Sequence, residues 1–215
     1  MIHEILPVGM LQCNCSILGD ETTHEAIVVD PGDDIDEIVA ILGRHQLRLK
    51  YIVITHAHID HIGGAKKLKD LTGAPVYMNE QDIELSRTIG QQAAWIGVQP
   101  PEVASIDVLL RDADEIQCGG IRAGVLHTPG HTQGSICLLI EDNEDNGKKK
   151  LLAGDTLFRD SIGRTDLPGG NFRQIMESLK EKLLALDDAT IVVPGHGPLT
   201  TIGREREWNP FLENL

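Results

Sequence analysis

The segment that most limits how this chain can fold is Thr55-His56-Ala57-His58-Ile59-Asp60-His61-Ile62-Gly63-Gly64, where three histidines and a carboxylate fall within six residues. It follows directly on an apolar run at 51–54 that reads as a short buried strand ending at Thr55. Four such side chains cannot all point into an apolar core, because each would need a partner there or leave a polar group unsatisfied. The fold must therefore bring the segment to a strand end, where polar side chains can converge. His56 and His58, two apart, project from one side of an extended loop. Asp60 and His61 come where the chain turns into a helix start at Gly63-Gly64 and can face a second ion nearby. Imidazole and carboxylate together suit zinc, iron or manganese. A solvated loop with incidental histidines would account for a lone pair of them, but not for this spacing followed by glycines.

Three later segments have the same character. Thr128-Pro129-Gly130-His131-Thr132 lies in a turn between two strand-like runs, Gly154-Asp155-Thr156 follows an apolar run at 150–153, and Pro194-Gly195-His196-Gly197-Pro198 follows one at 191–193. Each offers one ligand-type side chain, His131, Asp155 or His196, beside small residues or proline that let the backbone pass close. The remaining histidines lack this setting. His127 ends a strand and reads as structural, and His3, His24 and His45 read as surface residues. Asp30, in Val28-Val29-Asp30-Pro31-Gly32, suits capping the next turn or orienting a histidine.

Between these segments the pattern alternates strands and helices. Strands are expected at 2–8, 14–18, 25–29, 51–54, 75–78, 108–110, 120–126, 135–140, 150–153 and 191–193. Helices are expected at 33–46, with apolar positions Ile35, Ile38, Val39 and Leu42, and at 64–71, 81–86, 172–186 and 200–208. Residues 88–105, with Trp95, Gly97 and a Pro-Pro pair, read as an irregular insertion, and 142–149 as a hairpin tip. Two runs of strands, each closed by helices, imply two packed sheets with helices outside, in a single domain over 1–215.

Composition sets limits on this picture. With aromatic residues at only 3%, the core must be built from Val, Ile, Leu and Ala. A net charge of −14 repels phosphate backbones and anionic lipid, so neither nucleic acid nor membrane is expected as a partner. Two divalent ions would offset only four of those charges, so most of the acidity is solvated surface. Cys13, Cys15, Cys118 and Cys137 lack C-x-x-C spacing and read as small buried residues in a reducing compartment. With no signal-like N-terminus and no long apolar stretch, a cytoplasmic location is expected.

The motifs T-H-A-H-I-D-H-I-G-G, T-P-G-H-T-Q-G-S, G-D-T-L-F and P-G-H-G-P, in this order, resemble the metallo-β-lactamase superfamily along essentially the whole chain. The resemblance implies an α/β fold, the αββα sandwich, with the site at one edge of the sheets. It implies one metal held by His56, His58 and His131, a second by Asp60, His61 and His196, and Asp155 bridging them. Two divalent ions are expected, zinc foremost, with iron or manganese as alternatives. The stretches Gly154-Asp155-Thr156-Leu157-Phe158 and Ile162-Gly163-Arg164-Thr165-Asp166, with Asn209-Pro210-Phe211-Leu212, resemble glyoxalase II and its short relatives, the branch without the C-terminal helical domain. Arg164 and Asp166 stand where that enzyme has a glutathione-binding lysine and tyrosine.

Bound zinc lowers the pKa of water to about 7, so a hydroxide shared by two ions is available at neutral pH, and Asp60 can accept its hydrogen bond as the catalytic carboxylate. A thiol leaving group, with a pKa of about 8.5, departs without a strong acid. The expectation is a hydrolase for a small-molecule thioester or ester. The alternatives are a persulfide dioxygenase with one iron on His56, His131 and Asp155, a lactonase or other hydrolase on the same fold, and a non-enzymatic binding protein. Arg164 could hold a substrate carboxylate or amide, or pair with Asp166. Trp95, with Ile96, could line a pocket wall, or pack the insertion against the sheet.

Overall fold

Alternation along the central strands separates two faces. On the strand Glu25–Val29 (β3), Ile27 and Val29 point one way while Ala26 and Val28 point the other, and all four are buried. A strand buried on both faces needs a layer on each side. The computed structural model, which describes residues 1–141, 149–213 and 215, supplies both. Among the described residues the strands form two six-stranded mixed sheets and a two-stranded ribbon.

The first sheet runs in chain order: β1 (Ile2–Val8), β2 (Cys13–Gly19), β3, β4 (Arg48–Val53), β5 (Val76–Asn79) and β6 (Val108–Leu110). β1, β2 and β3 pair antiparallel, and β3 to β6 pair parallel. The parallel steps require crossovers, made by α1 (Ile35–Arg44), by α2 (Ile59–Ile62) with α3 (Ala65–Thr72), and by α4 (Ile83–Ser86) with α5 (Ile89–Ile96). The second sheet has the order β14 (Thr200–Thr201), β13 (Ile191–Pro194), β10 (Lys149–Gly154), β9 (Ile136–Glu141), β8 (Ile121–His127), β7 (Glu115–Cys118). β11 (Leu157–Phe158) and β12 (Ser161–Ile162) form the ribbon, and α6 (Phe172–Ser178) and α7 (Ile202–Trp208) cover the outer face.

Three apolar clusters fill the three gaps between layers. Leu18, Ile27, Val29 and Val53 meet Val125, Ile136, Leu138 and Ile140 between the sheets. Ile17, Val28 and Ile52 pack with Ile38 and Leu42 of α1 and Leu68 of α3. Leu151 and Val192 pack with Ile175 of α6, Leu179 and Ile202 of α7. This is the αββα sandwich expected from the sequence. The bulkiest fully buried side chains are aliphatic or methionine, whereas Trp95, Phe172 and Trp208 are exposed.

Several local expectations change. On α1 the buried positions are Ile35, Ile38, Ile41 and Leu42, and Val39 is exposed, because Ile41 completes the 3.6-residue stripe. The insertion 88–105 is irregular only in its second half. Its first half is α5, closed at Gly97 in the left-handed region (φ 73°). After Ser178 the long helix widens into π-type turns over Leu179–Leu183. β7 and the ribbon were not anticipated. The hairpin tip expected at 142–149 lies, except for Lys149, outside the described residues. All four cysteines are buried and free. His3 is half-buried on β1 with Nε2 3.2 Å from Ser16 Oγ, so it is not a simple surface residue.

The sheets meet at one end. Asn14 N donates to Gly195 O (2.7 Å), and the Asn14 amide donates to Pro194 O and Gly197 O (3.0 and 2.9 Å). Ile136 N donates to Thr55 O (2.9 Å) and Gly195 N to Gly154 O (2.7 Å). These bonds clamp together the four loops that carry the ligand-type residues.

Candidate metal centre

β4, β8, β10 and β13 each run toward this end and release one loop from it. β4 leads into His56 and His58 and then α2 with Asp60 and His61; β8 leads to His131, β10 to Asp155 and β13 to His196. All seven side chains converge. His131 Nε2 lies 3.2 Å from His56 Nε2 and 2.9 Å from His58 Nδ1. His196 Nε2 lies 3.3 Å from His61 Nε2 and 3.1 Å from Asp60 Oδ2. Asp155 stands between the two groups, with Oδ2 3.6 Å from His131 Nε2 and Oδ1 3.4 and 3.8 Å from His61 and His196 Nε2.

The far side of each ring shows what these atoms are for. His131 Nδ1 faces Arg164 O at 2.8 Å and His196 Nδ1 faces Leu11 O at 2.9 Å; carbonyls only accept, so the proton is on Nδ1 in both. His61 Nδ1 faces Asp30 Oδ2 at 2.9 Å. The Thr55 hydroxyl donates to Asp30 Oδ2 (2.6 Å), so its oxygen accepts from His56 Nδ1 at 3.1 Å. In the neutral rings of His56 and His131 each Nε2 is then a lone pair, and their 3.2 Å approach sets lone pair against lone pair. Such contacts are repulsive unless a cation lies between them. Ligands about 2.0–2.1 Å from a tetrahedral zinc stand about 3.3 Å apart, which matches these separations. Asp155 Oδ1 is buried without a hydrogen-bond partner, as expected of an oxygen reserved for a cation. His61 Nε2 is 3.4 Å from it, but donates only if that ring carries a second proton. The residues fit a divalent metal pair.

The local field agrees. Burial holds His56 well below its ordinary pKa, and lowers His58 to about 3, each helped by the neighbouring histidines. Burial also opposes charge on His61, but the negative groups around it, Cys13 when ionised and Asp155, Asp60 and Asp30, outweigh that and raise it. Cys13 itself, pushed up to about 11 by burial, is a neutral thiol at pH 7, so the carboxylates are the effective partners. Burial works against the ionised forms of Asp60 and Asp155, yet the charge of His61 holds both below the usual carboxylate range. The cluster attracts positive charge, as a proton or as a metal ion.

A second set of residues fixes the loops. Asp30 takes the histidine-orienting place expected of it, also accepting from Thr55 N at 2.7 Å. Asp82, 1% exposed, accepts from Ala57 N (2.9 Å), Thr132 Oγ1 (2.8 Å) and Gly134 N (2.7 Å), tying the His56–His58 loop to the His131 loop. Gln92 of α5 accepts from Ile59 N (2.9 Å) and donates to Ala57 O (3.2 Å). Neither Asp82 nor Gln92 belongs to a motif, and the sequence reading missed both. Nothing in the neighbouring residues marks either one. Gly195 is required by space, since a Cβ there would collide with Asp155 Oδ1 and the His61 ring.

The two candidate substrate residues fare differently. Arg164 lines a groove with Asp155, Phe158 and His196, and its guanidinium makes two 2.8 Å bonds to Asp166. Both partners are exposed. A cleft of about 590 Å³ opens on the other side, at Asp60, and the 88–105 segment walls it through Ile96 and Val98. Trp95 is 60% exposed and is not among the residues lining that cleft, because it faces outward from α5. His127 Nε2 faces Gln133 O at 2.9 Å, away from the cluster, as a structural residue would.

Comparison with known proteins agrees with this geometry. The family described as the metallo-beta-lactamase superfamily matches residues 8–196. The hydroxyacylglutathione hydrolase GloC of Haemophilus influenzae is 36% identical, over 98% of this chain and 98% of its own. Among solved structures, the BLEG-1 B3 metallo-beta-lactamase superposes with a TM-score of 0.89 at 36% identity, over 99% of this chain and all of its own. TTHA1623, in a di-iron-bound form, gives 0.83 at 34%, over 97% and 100%. ETHE1 from Myxococcus xanthus gives 0.81 at 30%, over 98% and 84%. With the family's motifs, its layers and a cluster of metal-ligating side chains at the sheet edge, the chain belongs to the metallo-β-lactamase superfamily.

Proposed function

We propose that the protein is a binuclear metallohydrolase that cleaves a small-molecule thioester in the manner of glyoxalase II. His56, His58 and His131 would hold one ion, Asp60, His61 and His196 the other, and Asp155 would bridge them. Zinc is the proposed metal. When bound, such ions supply a lowered water pKa and positive charge against a developing oxyanion. The observation that carries this reading is the convergence of six ligand-type side chains around Asp155, whose buried Oδ1 has no hydrogen-bond partner among the described residues.

The chain's own groups supply the rest. Asp60, ionised at neutral pH, accepts the hydrogen bond of the attacking water and aims its lone pair at the carbonyl. Asp30 and the Leu11 and Arg164 carbonyls hold His61, His196 and His131 in the tautomer that leaves Nε2 free. No group placed to protonate a leaving amine stands in the cluster, which suits a thiolate that leaves unaided. The similarity to GloC supports the same substrate class.

Metal analysis followed by a thioester panel including lactoylglutathione tests this. Two equivalents of metal and thioester turnover are expected; one equivalent at most, or a loaded protein inert to all thioesters, overturns it. A second reading, persulfide dioxygenase with one iron, draws support from the likeness to ETHE1. It leaves the Asp60–His61–His196 group without work, and oxygen uptake with glutathione persulfide separates the two.

A further inference from the structure

Two openings lead away from the clustered side chains, and they differ in charge. The groove beside Asp155 and His196 carries Arg159 and Arg164, balanced by Asp160 at 3.8 Å and Asp166 at 2.8 Å, so it bears no negative surplus around them. The cleft beside Asp60 is walled by Leu11, Ile35, Ile59, Ile96, Val98 and Pro101, drawn from four separate segments. Over this hydrocarbon stand Asp33, Asp34, Asp36, Glu37 and Glu102, against Lys66 and Lys67. Both lysines are engaged: Lys67 with Asp36 at 2.8 Å, and Lys66 with Asp70 and, at 3.8 Å, Glu102. An entering molecule therefore meets apolar walls under a surplus of negative charge. The inner end of the cleft is at the reaction centre, since Asp60 lines it and the Leu11 carbonyl holds His196.

We propose that this cleft is the acyl-side subsite, that it takes an apolar acyl chain bearing no negative charge, and that the excess of Asp33, Asp34, Asp36, Glu37 and Glu102 over Lys66 and Lys67 sets the preference. The proposal rests on the thioesterase reading. Each methylene moved from water onto such walls tightens binding about fourfold. A terminal carboxylate would instead be brought against like charges in a partly desolvated space, at a cost of about tenfold. The arginine groove is left for the thiol carrier. Hydrolysis adds water across the acyl–sulfur bond: sulfur leaves with the bonding pair and takes one of water's protons, the acyl carbon takes the oxygen, and the acid formed releases the other proton to solvent to become a carboxylate beside Asp60. The product is then repelled by the cleft that bound its precursor.

The test uses N-acetylcysteamine thioesters of heptanoate, adipate and 5-(trimethylammonio)pentanoate, with the metal-loaded protein. The heptanoyl and trimethylammonio substrates should exceed the adipoyl one in kcat/KM by about tenfold or more, with the gap narrowing in 1 M salt, where screening reaches about 3 Å. In the Asp36→Asn/Glu37→Gln/Glu102→Gln variant, all three positions being exposed, the gap should fall below about threefold. Glu84→Gln, exposed and remote from the cleft, should leave the gap as it is. Equal turnover of adipoyl thioester, or a gap that survives the triple variant, overturns the proposal. So does the same gap, with the same dependence on the variant, when the charge is moved to the thiol. If no thioester is turned over, the thioesterase reading itself fails, and calorimetry with the corresponding amides still decides the cleft: weaker binding of the adipoyl amide upholds it and equal binding refutes it.

Discussion

The two halves of the His/Asp cluster, proposed to hold one metal ion each, are built from similar side chains in opposite electrostatic settings. His56, His58 and His131 contribute imidazoles alone, and in this half burial drives His56 and His58 toward the neutral form. Asp60, His61 and His196 include a carboxylate, with Asp30 directly behind, and here both histidines are raised against the pull of burial. The first half is preset as a lone-pair donor. The second half holds a proton readily, so a metal ion there must displace one.

The largest effect should come from the group both halves share. Asp155→Ala should reduce turnover below detection and lower metal content by elemental analysis, with the circular dichroism spectrum retained; full activity would rule out a bridging role. Next come the residues behind each half. Asp82→Asn should weaken the first half and Asp30→Asn chiefly the second, since Asp30 meets His61 directly and His56 only through Thr55, each by roughly 10–100-fold in metal affinity or activity. Calorimetric titration should show each variant losing a different one of two binding steps, and loss of the same step in both would collapse the distinction. Acidification should also separate the halves. Groups with raised pKa take up protons at higher pH, so metal should leave the Asp60–His61–His196 half first as pH falls, while His58 resists protonation down to about 3. A chelator-dye assay across that range should resolve two releases in this order. Arg164→Ala, removing an exposed pair, should change KM by up to about fivefold with kcat held. His45→Ala, which removes only a surface contact to Glu4, should change nothing.

The convergence was legible because His131, Asp155 and His196 each follow a glycine just after a strand, and His56, His58, Asp60 and His61 fall within six residues, so the sites leave short contiguous signatures. The residues that aim the ligands leave none. Asp82 and Gln92 are ordinary polar residues in helical segments, and only the folded crossovers bring them to Ala57, Ile59 and Thr132. The insertion misled for a related reason. Trp95, Gly97 and the prolines suggested irregular chain, yet Gly97 is the C-terminal cap of α5, so it marks where a helix ends rather than its absence. β7 carried a readable alternation, with Ile116 and Cys118 buried and Glu115 and Gln117 exposed, but four residues are too few to separate from a turn. The layered fold was recoverable because strands buried on both faces admit few arrangements.

The turn between β1 and β2 has two roles in one short stretch. Leu11 lends its carbonyl to His196 and its side chain to the wall beside Asp60, and Gln12 that follows sits in the left-handed region (φ 55°). Metal retention and ligand preference are thus mechanically joined at this point. A library that randomises positions 9–12 to reshape selectivity would also disturb cofactor loading, so the two traits should drift together during evolution of related chains.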